Sequence, residues 1–184
     1  MKVLGFAGSL RKGSFNKALL RAAVEMALAP MEIETFDLDG IPLFNQDDEA
    51  RPPEKVKEFK TKIRAADALL IATPEANYSV PGVLKNAMDW ASRPYGDSAF
   101  DGKPAAIMGA SIGMIGTARA QYHLRQICVF LNMHPINRPE VMVGFAQDKI
   151  DEKGRLFDEP TRKRIGELLD ALMAWTTRLS GEKS

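Results

Sequence analysis

Short aliphatic runs recur along this chain at about residues 2–7, 31–36, 68–73, 104–110 and 139–145, each divided from the next by a stretch with helical spacing. The runs at 68–73 (ALLIAT) and 104–110 (PAAIMGA) lack polar alternation, the pattern of strands covered on both faces. Between the runs, Phe15, Ala18, Leu19, Ala22 and Met26 share one helical face, as do Val83, Leu84, Ala87, Met88 and Ala91. Leu124, Ile127, Cys128 and Leu131 repeat the pattern, and Ile165, Leu168, Leu169, Leu172 and Leu179 mark a last helix. A more polar helix over about 53–65 keeps Val56, Phe59 and Ile63 at helical spacing. Such alternation calls for an open parallel sheet, and right-handed crossovers put helices on both of its faces. One doubly wound α/β domain over residues 1–184 is expected, with 180–184 a frayed tail and 37–52 its one long irregular stretch.

Charge removes several function classes. With 25 basic and 24 acidic side chains the net charge is +1, and no long run of one sign exists. A protein living on phosphate-backbone contacts shows a basic stripe, so nucleic acid is not the expected partner. Cys128 is the only cysteine and sits in the apolar stretch 127–131, which excludes a disulfide framework and points to a buried, inert thiol. Residues 1–7 are too short for a signal sequence and no segment approaches membrane-spanning length, so a cytoplasmic protein without membrane insertion is expected.

Open α/β sheets bind ligands beyond the carboxyl ends of their strands, where strand order reverses. Three of those junctions carry chemistry. After the first run comes Gly8-Ser9-Leu10-Arg11-Lys12-Gly13-Ser14-Phe15-Asn16. Two glycines allow a tight turn, Ser9, Ser14 and Asn16 offer neutral donors, Arg11 offers a charged fork, and the next helix aims unpaired N–H groups at the loop. These features suit a phosphate; the bland alternative is a helix cap and turn. The spacing approaches a Walker A loop, but Ser14 stands where that motif needs Lys and Phe15 where it needs Ser or Thr. The second junction, 74–82, places Asn77 and Tyr78 before Ser79, a candidate helix cap, with Pro81 in the first turn. Its backbone amides suit the edge of a flat heteroaromatic ring, although Tyr78 as a simple loop anchor fits the spacing equally well.

The third junction, 109–117, contains Gly109-x-Ser111-x-Gly113, the pattern of a serine-hydrolase elbow. That fold needs an acid and then a histidine after the serine. Only His123 and His134 follow Ser111, with no Asp or Glu before either, so a glycine-rich approach to a planar ligand is the better account. Neither histidine has companions at metal-ligand spacing, and both read as structural. Trp90 reads as packing, and Arg162-Lys163-Arg164 as a solvated helix face.

The first loop (8–16) and the segment Thr73-Pro74-Glu75-x-Asn77-Tyr78-Ser79-Val80-Pro81-Gly82-x-Leu84-Lys85-Asn86-Ala87-x-Asp89-Trp90 resemble the NADPH-dependent FMN reductase family, especially its quinone, azo-dye and chromate reductases. The likeness spans about residues 2–145 and includes Ser111, Gly113, Gly116 and Thr117-x-Arg119-x-Gln121. It implies a flavodoxin-like five-stranded sheet of order 2-1-3-4-5 with bound FMN. By the resemblance, Ser9, Arg11, Ser14 and Asn16 hold the phosphate; Pro74, Glu75, Asn77 and Tyr78 run along the isoalloxazine; Ser111 and Gly113 close the other side; and Phe15 and the backbone of Ala76 also contact the cofactor. It further implies NADPH or NADH as hydride donor, transfer through flavin N5 to a small-molecule acceptor (quinone, flavin, azo compound or chromate), and a homodimer or homotetramer. The 41–52 loop is the candidate contact with a neighbouring subunit. No protein nucleophile is required, because a flavin carries the redox chemistry. Ala76 stands where the family usually has Tyr, which removes stacking area beside the ring. The alternatives are a flavodoxin-type electron carrier and a flavin-free regulatory protein on the same fold.

Overall fold

The computed structural model describes residues 1–181. In chain order its elements are β1 (Lys2–Ala7), α1 (Phe15–Met26), β2 (Glu32–Phe36), α2 (Glu54–Ala65), β3 (Ala68–Ala72), α3 (Gly82–Ala91), β4 (Pro104–Ala110), α4 (Ala118–Phe130), β5 (His134–Pro135), β6 (Val141–Val143) and α5 (Glu159–Gly181). The strands form one parallel sheet in the order β2-β1-β3-β4-β5, with β6 also paired to β4. This is the flavodoxin-like, doubly wound α/β arrangement.

Two faces arise from the two-residue period of the strands. Val3, Ala7, Leu70, Ala72 and Met108 pack with α1 and α5. Their neighbours Leu4, Phe6, Leu69, Ile71 and Ile107 pack with α2, α3 and α4. Phe59 centres the second layer: its ring meets Phe6 edge-on at 5.2 Å and stacks on Phe36 at 5.0 Å. β3 and β4 are buried along their whole length, which is why their runs lack polar alternation.

The fifth position differs from the single strand expected at 139–145. Two short strands share it: His134 and Pro135 lie opposite Pro104 and Ala105, and Val141–Val143 lies opposite Met108–Ala110. Pro135 and Pro139 have no N–H to continue a ladder, so the strand is broken between them. The expected fray is also absent at Ser180 and Gly181, which remain helical; the rest of that expectation lies outside the described residues.

The 37–52 connection contains one turn of 3-10 helix at Gln46–Asp48 and is pinned to α3. Phe44 N–H donates to Asn86 Oδ1, while Asn86 Nδ2 and Trp90 Nε1 both donate to the Pro42 carbonyl, each at 2.8 Å. Trp90 is buried, so its role is packing. Lys60 on α2 is buried as well; it donates to the Arg93 carbonyl and pairs with Asp97 at 3.2 Å, and Arg64 reaches the same carboxylate at 2.7 Å. The hydrogen bonds from Lys60 and Arg64 hold the Asp97 carboxyl below the usual carboxylate range. Cys128 faces the second layer, and burial pushes its thiol up to about 12, so it is not a thiolate. Among the described residues no helix is long and apolar enough to cross a membrane.

Candidate functional site

Strand order reverses between β1 and β3, and the turns following those strands meet there. Gly8 N–H donates to the Ala72 carbonyl at 2.9 Å, closing the end of β1 on the end of β3. A side chain on Gly8 would meet Pro81 at 2.9 Å and Leu84 at 3.0 Å, so only glycine lets the start of α3 come this close. The turn then rises to Ser14, which caps α1 by accepting from Lys17 N–H at 3.3 Å. The first N–H groups of any helix have no intrahelical acceptor, so this end presents donors and the positive end of the dipole. Arg11 is exposed and makes no ion pair among the described residues; its guanidinium lies 5.1 Å from the Phe15 ring. Ser9 is half-buried at the start of the turn.

Asn16, like the capping Ser14, is engaged within the protein. It is buried, and its amide donates to the Ala110 carbonyl at 3.0 Å while its oxygen accepts from Ala110 N–H at 2.9 Å. That pair of bonds ties the first turn of α1 to the end of β4. The side chain expected to hold phosphate is therefore already engaged, and Asn16 positions the turn.

After β3 the chain makes a tight reversal. Ala76 and Ser79 exchange two backbone hydrogen bonds, both 2.9 Å, and Asn77 and Tyr78 between them have φ of +48° and +69°. This is the geometry of a type I′ turn, which ordinarily takes glycine or asparagine at both central positions. Tyr78 there is a strained placement, and strain of this kind persists only where neighbours hold it. The neighbour is Arg119, whose guanidinium lies 3.8 Å over the Tyr78 ring. Glu75 holds Arg119 in turn. One carboxylate oxygen accepts from Arg119 Nη1 at 3.0 Å; the other accepts the N–H groups of Arg119 (3.0 Å) and Ala120 (3.2 Å). Glu75 thus caps α4 from another loop, and Thr117, the residue at the cap position, makes no capping bond of its own. Ser79 does not cap α3 as expected: Pro81 occupies that position, and Ser79 Oγ lies 3.0 Å from His123 Nδ1 on α4. Pro74 accepts from the Thr73 hydroxyl at 2.8 Å, and Asn77 is exposed.

The third turn is closed by Ser111, whose hydroxyl donates to the Gly116 carbonyl at 2.6 Å and accepts from Gly113 N–H at 3.2 Å. No histidine approaches it; His123 is with Ser79, and His134 lies opposite Pro104, at the other end of the sheet. Hydrolase chemistry has no base here. Gly116, at φ +62°, abuts Met142 and Val143 closely enough that a side chain would come within 2.8 Å of backbone. A side chain on Gly113 would meet the Ser111 hydroxyl at 3.7 Å, an ordinary contact, and Ile112 and Met114 are exposed on either side. Gln121 Nε2 donates to the Val141 carbonyl at 2.9 Å, anchoring α4 to β6.

A fourth junction escaped the sequence reading because the fifth strand was carried through residue 145. Gly144-Phe145-Ala146 follows β6 directly against the third turn. Phe145 N–H donates to Gly113 O at 3.4 Å and Ala146 N–H to Ser111 O at 3.1 Å. The signal available in the sequence was Gly144 at the end of an apolar run.

Taken together, the first turn is joined to β3 and β4, the second to α4, and the third to β6, so the predicted segments form one rim. Comparisons with known proteins identify the family. Residues 1–148 match the family model described as NADPH-dependent FMN reductase. An NAD(P)H-dependent FMN reductase of Pseudomonas aeruginosa is 57% identical over 182 residues, covering 98% of both chains. A 2-hydroxy-1,4-benzoquinone reductase of a Burkholderia species is 46% identical, covering 95% of this chain and 96% of that one. Among solved structures, the flavoenzyme NAD(P)H:(acceptor) oxidoreductase of Paracoccus denitrificans superposes with a TM-score of 0.88 at 36% identity, covering 96% of this chain and 97% of its own. A sheet with this switch point, these loop motifs and these relatives places the chain in the NADPH-dependent FMN reductase family.

Proposed function

We propose that this chain is an FMN-dependent NAD(P)H oxidoreductase of the quinone/FMN reductase type. The observation that carries the reading is the rim itself: an ion-unpaired arginine and a capped helix start stand beside an exposed, strained turn at the topological switch point.

The donor set fits a phosphorylated flavin. Arg11, Ser9, Ser14 and the first N–H groups of α1, those of Phe15 and Asn16 among them, suit a phosphate dianion. The backbone from Pro74 to Tyr78, including Ala76, together with Gly113, offers peptide edges to a flat ring, and Ser111 shapes the far side through its bonds within the turn. Bound there, FMN would supply the redox chemistry that links NADPH or NADH as hydride donor to a quinone, flavin, azo or chromate acceptor. The protein's part is to orient. Glu75 fixes the start of α4, Arg119 fixes Tyr78, and Asn16 fixes the phosphate turn to β4.

The same reading makes the chain a cytoplasmic homodimer or homotetramer, working where reduced pyridine nucleotides are available. Val129 and Phe130 on α4 are 80% and 77% exposed, and Leu43 of the 41–52 loop is 86% exposed, an extent of apolar surface that suits a neighbouring subunit. Light scattering at micromolar concentration is expected to give two or four chain masses.

The deciding experiment is a visible spectrum of the purified protein with added FMN, followed by NADPH and then a quinone under anaerobic conditions. A protein-bound flavin band, bleached by NADPH within the turnover time and restored by the quinone, is the expected result. A bound flavin bleached far more slowly than turnover excludes the scheme, and one that NADPH never bleaches marks an electron carrier instead.

A further inference from the structure

Phe145 has a combination of features that packing does not account for. Its backbone is left-handed, at φ +51° and ψ +46°, although it is neither glycine nor asparagine. Left-handed geometry crowds the Cβ of any L residue, and an aromatic placed there is an outlier. The ring nevertheless remains 46% exposed, so burial does not compensate the strain. The conformation is held by its surroundings: Phe145 N–H bonds Gly113 O, Ala146 N–H bonds Ser111 O, and Asp148 N–H returns to the Phe145 carbonyl at 3.0 Å. On the preceding residue a side chain would come within 2.2 Å of the Met114 carbonyl, so Gly144 lets the two turns lie in contact.

Position in the sheet gives this strained ring a role. β3, β4 and β6 lie side by side, so the turn with Ala76 and the turn with Phe145 flank the Ser111–Gly116 turn from opposite sides. The two outer strands are separated by two strand spacings, about 10 Å. On the β3 side position 76 carries only a methyl group; on the β6 side stands Phe145, with Ile112 and Met114 exposed next to it. Aromatic surface at this rim is therefore carried by Phe145 on the β6 side, by Tyr78, and in part by Phe15.

We propose that Phe145 is a specificity-determining side chain of this site: its ring forms an apolar wall against which a flat hydrophobic acceptor lies, favouring such acceptors over small or anionic ones. The inference rests on the FMN site proposed above. Offset or edge contact between two rings contributes modestly to binding, so the effect is a change of preference and not a loss of activity.

The test uses FMN-loaded full-length protein with Phe145→Gly and Phe145→Ala. The readouts are kcat/KM for 1,4-naphthoquinone and for ferricyanide, the dissociation constant of 1,4-naphthoquinone for the oxidised protein by calorimetry, and Tm with and without FMN. In both variants the naphthoquinone kcat/KM is expected to fall about 3–10-fold and its binding to weaken by the same factor, with ferricyanide within about twofold of wild type. Phe145→Gly, which adopts the left-handed backbone freely, is expected to melt about 2–4 °C above Phe145→Ala, which keeps the strain. Variants that keep their flavin and are bleached normally by NADPH, yet show an unchanged naphthoquinone-to-ferricyanide ratio, overturn the role of Phe145 and leave the FMN site standing. A wild-type protein that holds no flavin overturns both. A changed oligomer mass by light scattering with an unchanged acceptor ratio assigns the ring to a subunit contact and overturns the proposal.

Discussion

The turn after β1 and the turn after β3 stand side by side on the same rim, yet they treat their polar groups in opposite ways. In the first, Arg11 has no ionic partner among the described residues and the helix start presents donors without intrahelical acceptors. In the second, the Glu75 carboxylate is taken up by Arg119 and the start of α4, and Ser79 is paired with His123. An unengaged group is available to a ligand, whereas an engaged one makes shape. The first turn is thus built to bind, and the second to hold a strained backbone in place. Asn16 stands inside the first turn but follows the second rule, since both ends of its amide serve Ala110.

Substitutions on either side test that division. The largest effect is expected from Asn16→Ala, which strands a buried N–H and a buried carbonyl on Ala110 and costs about 2–5 kcal/mol of stability, read from urea unfolding of the apo protein. Glu75→Ala should cost about 2–4 kcal/mol by the same measurement, because it removes a cap and frees the Arg119 guanidinium; Glu75→Gln recovers part by keeping an acceptor. Arg11→Ala should do the reverse. FMN affinity falls roughly 10–100-fold by fluorescence titration, while apo Tm stays within about 2 °C of wild type. If Arg11→Ala instead destabilised the apo protein as much as Glu75→Ala does, the contrast between the two turns would be lost.

Ala76→Tyr sharpens the comparison from the ligand's side. A ring at that position should tighten FMN about 2–10-fold through added stacking, measured by the same titration, without altering the backbone pairing of Ala76 with Ser79. The smallest effect belongs to a control away from the rim. The Asp97 carboxyl is held below its ordinary range by Lys60 and Arg64. A depressed folded value contributes stability that is fully present above the unfolded value near 4 and is lost as pH falls through the folded one, so Asp97→Asn should lower the urea midpoint at about pH 6 and approach wild type as the carboxyl protonates in acid. Flavin affinity at neutral pH should not change.

Much of this was legible before any coordinates. Runs with no polar alternation identified β3 and β4, because a strand buried on both faces has no position that water can reach. The helical faces at α1, α3 and α4 were readable from spacing alone. What escaped were features set by partners distant in sequence. Nothing local to Glu75 announces that it caps a helix beginning more than forty residues later, and nothing local to Asn16 points to Ala110. The broken fifth strand was marked by Pro135 and Pro139, yet the run Val141-Met142-Val143-Gly144-Phe145 was enough to suggest a single strand over 139–145. Phe145 ends that run, where an apolar residue reads as the last position of a strand and its turn geometry has no local signal.

The interruption between β5 and β6 bears on how copies of this protein can meet. Strands of two and three residues, with prolines beside them, give an incoming chain almost no ladder to extend, and at the opposite margin β2 carries Glu32 and Glu34 outward. Both rims of the sheet are thereby poor templates for runaway strand addition. Any contact between copies would then fall to helices and connecting segments.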